Sequence, residues 1–190
     1  MERNKPIYKN IKVLVYSAVF AALAAVLGQL LAIRPTPATK YTLDKFVLFL
    51  SGMFFGPVIG GMVGFVSDFA GGNLFGAGWF PQLCLPSVLF GVFGGVFQKM
   101  LQKNCSIFRL ALAYLFPTVL GAILCQSAML ALTYNAANFW PDFYFKLTTR
   151  SVQFTIMLVV EVTLIYVLIQ TNIFARVGLW RPVKNKKRGL

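Results

Sequence analysis

Residues 41–68 read YTLDKFVLFLSGMFFGPVIGGMVGFVSD. Between Lys45 and Asp68 there is no charged side chain, and the run is interrupted once, at Gly56-Pro57. Proline disfavours the helical region at the residue before it. The stretch therefore predicts two short helices, at about 43–55 and 57–72, rather than one. Asp44 and Lys45 open the first, and Asp68 falls near the end of the second. Gly56, Gly60 and Gly64 repeat at a spacing of four, which lets helix backbones approach closely where lipid supplies no hydrophobic drive.

The pattern extends in both directions. Val13–Ile33 is an apolar run of 21 residues, enough to cross about 30 Å of hydrocarbon. It exceeds the apolar core of a secretory signal and ends in Arg34-Pro35-Thr36-Pro37 rather than in a small-residue cleavage site. Downstream, a helix is expected from Phe80-Pro81 to about Leu101, carrying Gly91 and Gly95. Two more are expected at about 107–134 and 143–170, separated by a loop containing Trp140-Pro141. The reading is an all-α, six-helix transmembrane bundle. A basic segment (1–12) precedes it, the membrane domain covers 13–172, and a basic tail (173–190) follows.

Composition supports lipid as the solvent. The 190 residues are 58% hydrophobic and 12% charged, with a mean hydropathy of +0.72. Soluble domains carry about twice that share of charge. The net charge of +13 would raise the question of nucleic acid, but its placement points elsewhere. Thirteen Lys/Arg residues fall in the N-terminal segment, the 99–109 break and the C-terminal tail. That is the bias of cytoplasmic segments, so both termini are expected in the cytoplasm, and no nucleic-acid partner is expected.

The ionisable residues within the apolar blocks are the candidate site. Charges in a membrane interior are costly and usually mark a function or a buried pair. In the six-span topology Asp44, Lys45, Asp68, Lys146 and Arg150 fall toward the outer face, with Glu161 deeper. Near them come Arg34, Lys40, Asn73, Trp79, Gln82, Tyr134, Asn135, Trp140 and Tyr144. Such a set suits a flat, polar, partly anionic ligand. Aromatics stack on a ring, a carboxylate accepts from ring N–H groups, and Arg or Lys pairs with ligand carboxylates. Arg150 and Glu161, eleven residues apart, share a helix face but lie about 16 Å apart, so Glu161 needs another partner. Trp and Tyr also gather at membrane interfaces for anchoring alone.

Other chemistries are disfavoured. The chain has no histidine, no GxxxxGK[ST] loop and no metal-ligand spacing among its three cysteines. Cys84 and Cys125 read as small buried hydrophobes. No chain of acids runs through the helices as a proton path, so the energy for uptake is expected from elsewhere. Neither an enzyme activity nor a resident cofactor is expected.

The stretch from Tyr41 to Asp68, with Gly78-Trp79-Phe80-Pro81, resembles the folate-specific S components of energy-coupling factor (ECF) vitamin transporters. The resemblance covers about residues 10–172 and includes an alanine-rich first helix. It implies a capture subunit that binds its vitamin near the outer face of a bacterial plasma membrane. A scaffold subunit and two ABC-type ATPase subunits would then drive release inside. It implies folate or a reduced folate as the transported ligand, with another vitamin or stand-alone secondary transport as alternatives. Ala18, Ala22 and Ala25 match the small residues that contact the scaffold in that family. Asp68 is then the candidate for the pterin edge, and Arg34, Lys40 and Arg150 for the glutamate carboxylates. Gln82 departs from the family pattern, where a glycine is expected after Pro81.

Overall fold

The computed structural model describes residues 11–36, 39–74, 81–103, 106–134, 139–171 and 174, the side chains of 34–36, 39, 40, 82, 83 and 134 excepted. Helix α1 (Ile11–Gln29) is followed by strands β1 (Ile33–Thr36) and β2 (Thr39–Tyr41) and by helices α2 (Asp44–Phe55) and α3 (Pro57–Leu74). Then come α4 (Pro81–Val96), the short α5 (Gln98–Lys103) and α6 (Ile107–Pro117). A π-helical segment (Thr118–Cys125) carries α6 into α7 (Gln126–Tyr134), and α8 (Phe139–Gln170) ends the described bundle. Among the described residues three paths are long and apolar enough to cross a membrane: α1, 107–133 and α8. The 12 residues of α2 reach about 18 Å, so this helix lies within the bundle rather than spanning it unaided.

The break between α2 and α3 falls at Gly56, as the sequence predicts. Gly56 has φ of 94°, where a Cβ would be strained, and its N–H closes α2 onto the Gly52 carbonyl at 2.8 Å. Pro57 then starts α3, where a missing N–H costs nothing. The corner folds α3 back on α2, and α4 packs against both through backbone. A Cβ added at Gly52 would stand 1.9 Å from the Gly91 carbonyl oxygen. One at Gly91 would stand 2.0 Å from the Gly60 oxygen, and one at Gly95 would stand 2.1 Å from the Pro57 nitrogen. The glycine spacing thus brings three helices into direct main-chain contact. Helix α2 is enclosed, with Lys45 and every residue from Val47 to Phe55 buried.

Five expectations are corrected. In a chain expected to be all-α, residues 33–41, from the end of the first apolar run into the polar stretch Arg34 to Lys45, form a two-stranded antiparallel ribbon pairing Ile33 with Tyr41 and Thr36 with Thr39. Proline has no ladder donor but is tolerated on such an edge, which accommodates Pro35. Helix α1 consequently stops at Gln29 rather than Ile33. The helix expected from 107 to 134 is one path but not one α-helix, because Pro117 is followed by the π-helical segment. Helix α8 starts at Phe139 rather than 143, with Trp140-Pro141 inside its first turn, a position where proline is tolerated. The fourth helix turns at Phe97 before resuming as α5.

Candidate functional site

Lys45 sits in the first turn of α2 and is only 8% exposed. Its Nζ donates to Asp44 Oδ2 at 3.0 Å and to Ser87 Oγ of α4 at 3.1 Å, and lies 5.9 Å from the centre of the Phe90 ring. Asp44 occupies the first helical position, where the positive end of the helix dipole favours a carboxylate. It also packs against Gly28 of α1, where an added Cβ would meet the Asp44 Cβ at 3.3 Å. Asp68 of α3 is half-buried and lies within electrostatic range of the Lys45 ammonium and of the Cys84 side chain of α4, whose thiol donates to the Phe65 carbonyl at 3.9 Å. Glu161 of α8 lies within that range too. Three of the five acidic residues in the chain therefore act on one buried lysine.

Glu161 is 2% exposed, and its partner is Tyr114 of α6, whose hydroxyl donates to Oε2 at 2.7 Å. The Tyr114 ring is wedged between Phe49 and Phe90, with centroids 5.0 and 5.5 Å away. Phe90 thus lies between this pair and Lys45. The polar groups of α2, α3 and α4 are in this way tied to α6 and α8 through one aromatic layer.

Arg150 lies on α8, eleven residues before Glu161, as the sequence spacing requires. Its guanidinium is half-buried over the Phe154 ring, 6.0 Å from the centroid, and among the described residues it forms no ion pair. Lys146, by contrast, is paired with Asp142 one turn away.

The remaining expected site residues divide. Asn73 is exposed and spends its amide on the Phe69 carbonyl at 2.9 Å. Trp140 and Tyr144 are 63% and 59% exposed and stack on each other, so their rings stand apart from the buried charges. Trp79 and Asn135 lie outside the described residues, as do the side chains of Arg34, Lys40, Gln82 and Tyr134. Ala18 and Ala22 lie on the outer face of α1. Ala25 does not share that face. It is 7% exposed and packs beside Gly71 of α3, which corrects its expected role as a partner contact.

Three contributors went unrecognised in the sequence. Ser87 and Tyr114 look like ordinary residues of apolar helices, and Cys84 reads as a small hydrophobe. The one available signal was that Cys84 and Ser87 stand three apart, on one helix face.

Apolar helices enclosing mixed charges at the junction of five helices are the kind of arrangement in which intramembrane charges mark a function or a buried pair. The model of the ECF-type riboflavin transporter S component family matches residues 8–174, and the chain belongs to that family of transporter subunits, which are not enzymes. A curated relative, the folate transporter FolT of Clostridium novyi (strain NT), is 34% identical over 113 residues, 59% of this chain and 64% of that protein. A UPF0397 protein of Streptococcus pneumoniae serotype 19F (strain G54) is 34% identical over 99 residues, 52% of this chain and 54% of that protein. The chain thus spans less than two thirds of the length of these relatives. A solved structure, FolT bound with folic acid, superposes with a TM-score of 0.69 at 30% identity, covering 83% of this chain and 92% of the other.

Proposed function

We propose that this chain is the membrane-embedded capture subunit of an ATP-driven ECF importer and that its ligand is folate or a reduced folate. The observation that carries the reading is the likeness to FolT bound with folic acid, across most of both chains. The chemistry agrees with it. Asp68 accepts from the amino and N–H edge of the pterin. Arg150, which lacks an acidic partner among the described residues, takes a glutamate carboxylate, and Arg34 and Lys40 are further candidates for the carboxylates. Asp44 and Lys45 form the floor.

In this reading the chain crosses the bacterial plasma membrane six times, with both basic termini in the cytoplasm and the site toward the outer face. Import of an anion against an inside-negative potential costs about 2.3 kcal/mol per charge per 100 mV. A scaffold subunit and two ABC-type ATPase subunits supply that energy, and Ala18 and Ala22 face the scaffold.

One observation favours a second ligand, since the matching family model is described by riboflavin. Riboflavin has no carboxylate to meet Arg150, which is why folate is preferred. Purified chain in detergent is expected to bind folic acid tightly, and folate is expected among the small molecules that co-purify with it. In liposomes the chain alone should not accumulate folate. Riboflavin in the co-purified fraction, with no folate binding, would overturn the ligand. Accumulation driven by a proton gradient without ATPase subunits would overturn the mechanism in favour of secondary transport.

A further inference from the structure

Two buried polar atoms just after the π-helical segment have no hydrogen-bond partner among the described residues. Most other described Ser and Thr hydroxyls in the helices donate to a carbonyl one turn back: Thr118 to Tyr114 at 2.8 Å, Thr133 to Met129 at 2.7 Å, Ser151 to Leu147 at 2.7 Å. Ser127 follows the π-helical segment and does not. It is 0% exposed, yet its Oγ has no partner among the described residues, and neither does the adjacent buried Gln126 Oε1. The Gln126 N–H is shared between the Gly121 and Ile123 carbonyls, so the backbone ladder is irregular just before Ser127. Buried polar atoms are rarely left without partners, and π turns recur at functional sites.

Their height in the bundle follows from the Tyr114–Glu161 bond, which fixes the register of α6 and α7 against α8. Twelve residues onward along one path comes Gln126, and eleven back along the other comes Arg150. At about 1.5 Å per residue both stand roughly 17 Å from that bond. Gln126 and Ser127 are therefore level with Arg150 across the α7–α8 contact.

We infer that Gln126 and Ser127 form, opposite Arg150, an uncharged subsite that accepts the N–H of an amide adjoining the ligand carboxylate. The ligand class it selects is an N-acyl amino acid, the end that distinguishes folic acid from pteroic acid. The inference rests on the folate reading. It adds that the acyl-amino-acid end is recognised by neutral acceptors as well as by the arginine. No covalent step is involved.

The test measures binding of folic acid and pteroic acid to the full chain in detergent, unsubstituted and as Ser127→Ala, Gln126→Leu and the double variant. The double variant is expected to weaken folic acid about five- to tenfold, the effect of one buried hydrogen bond, each single change to weaken it less, and all to leave pteroic acid within twofold. Ser127→Thr should restore most of the folic acid affinity. Thermal unfolding of the ligand-free variants checks that they fold, and Ser127→Ala removes a single oxygen. Equal losses for both ligands would refute the subsite and assign the residues to packing. Unchanged folic acid affinity in the double variant would refute it as well, leaving both groups to water. If the unsubstituted chain binds neither ligand, the folate reading fails and this inference with it.

Discussion

Replacing Lys45 by Met tests whether the buried charges are a coupled unit. Methionine keeps the length of the stem and removes the ammonium. Three interactions go with it: the ion pair to Asp44 at 3.0 Å, the hydrogen bond to Ser87 at 3.1 Å and the approach to the Phe90 ring at 5.9 Å. The contacts themselves are the smaller part of the effect. Asp44, Asp68 and Glu161 all lie within electrostatic range of that ammonium, and without it they remain inside the bundle with no cation at their centre. Breaking a buried pair from one side costs about 3–5 kcal/mol, because the remaining charge is left uncompensated. For a chain of this size each kcal/mol moves the midpoint by about 2–4 °C, so thermal unfolding in detergent should fall by roughly 6–20 °C. The double variant Asp44→Leu with Lys45→Met removes both members of the pair and should regain more than half of that loss, since apolar replacement of a whole buried pair is often near neutral. A midpoint for Lys45→Met within 2 °C of the unsubstituted chain would refute the coupling. So would a double variant less stable than the single one.

Asp68→Ala should lower folic acid affinity at least about tenfold, the order expected when a charge-assisted hydrogen bond is lost, as read by titration calorimetry; unchanged affinity would remove Asp68 from the site. Ala18→Trp should leave folic acid binding intact and block ATP-dependent uptake in liposomes containing the full complex, and normal uptake would reject that face of α1 as the scaffold contact. Gly91→Ala places a methyl 2.0 Å from the Gly60 carbonyl oxygen and must push α3 and α4 apart. Overpacking of this kind costs about 1–3 kcal/mol or more, so a fall in melting midpoint of at least about 2 °C is expected, and an unchanged midpoint would contradict the main-chain contact.

The helix pair α2–α3 was legible because its determinants are local. Gly56-Pro57 sets the break, and the glycines that follow set the closeness of packing. The ribbon at 33–41 was not legible, because a short polar segment between helices carries no periodicity and is held by pairing alone. The π-helical segment was hidden for a similar reason. Pro117 lies in an apolar run that reads as one helix, and whether the backbone absorbs it as a kink or as a widened turn depends on what packs against it. At the site, Asp44, Lys45 and Asp68 announced themselves as charges in apolar blocks. Ser87, which accepts from Lys45, and Tyr114, which donates to Glu161, did not, since nothing in an apolar helix distinguishes a bonded hydroxyl from one turned to its own backbone.

The two halves of the site are built on different physics, and this bears on how a capture subunit could release what it binds. Asp44, Lys45, Asp68, Cys84 and Ser87 stand on α2, α3 and α4, where glycine brings carbonyl within van der Waals distance of main chain. Such contacts leave little room for one helix to slide on another without separating, so this half should move as one body. Arg150, Gln126 and Ser127 stand on the other side, on a path widened by a π-helical turn and on the longest helix of the bundle. A polar tie between the two helical paths of this side is the Tyr114–Glu161 bond, deep beneath Arg150. A ligand bridging Asp68 and Arg150 would therefore join a rigid wall to a more adjustable one. Cutting the tie with Tyr114→Phe should loosen the adjustable wall at its base without touching a ligand-contacting group. The expected signature is faster folate dissociation, about tenfold for one buried charge-assisted hydrogen bond, with an association rate changed less than twofold. An association rate that fell instead would place Tyr114 in the entry path and refute its role as the base of a moving wall.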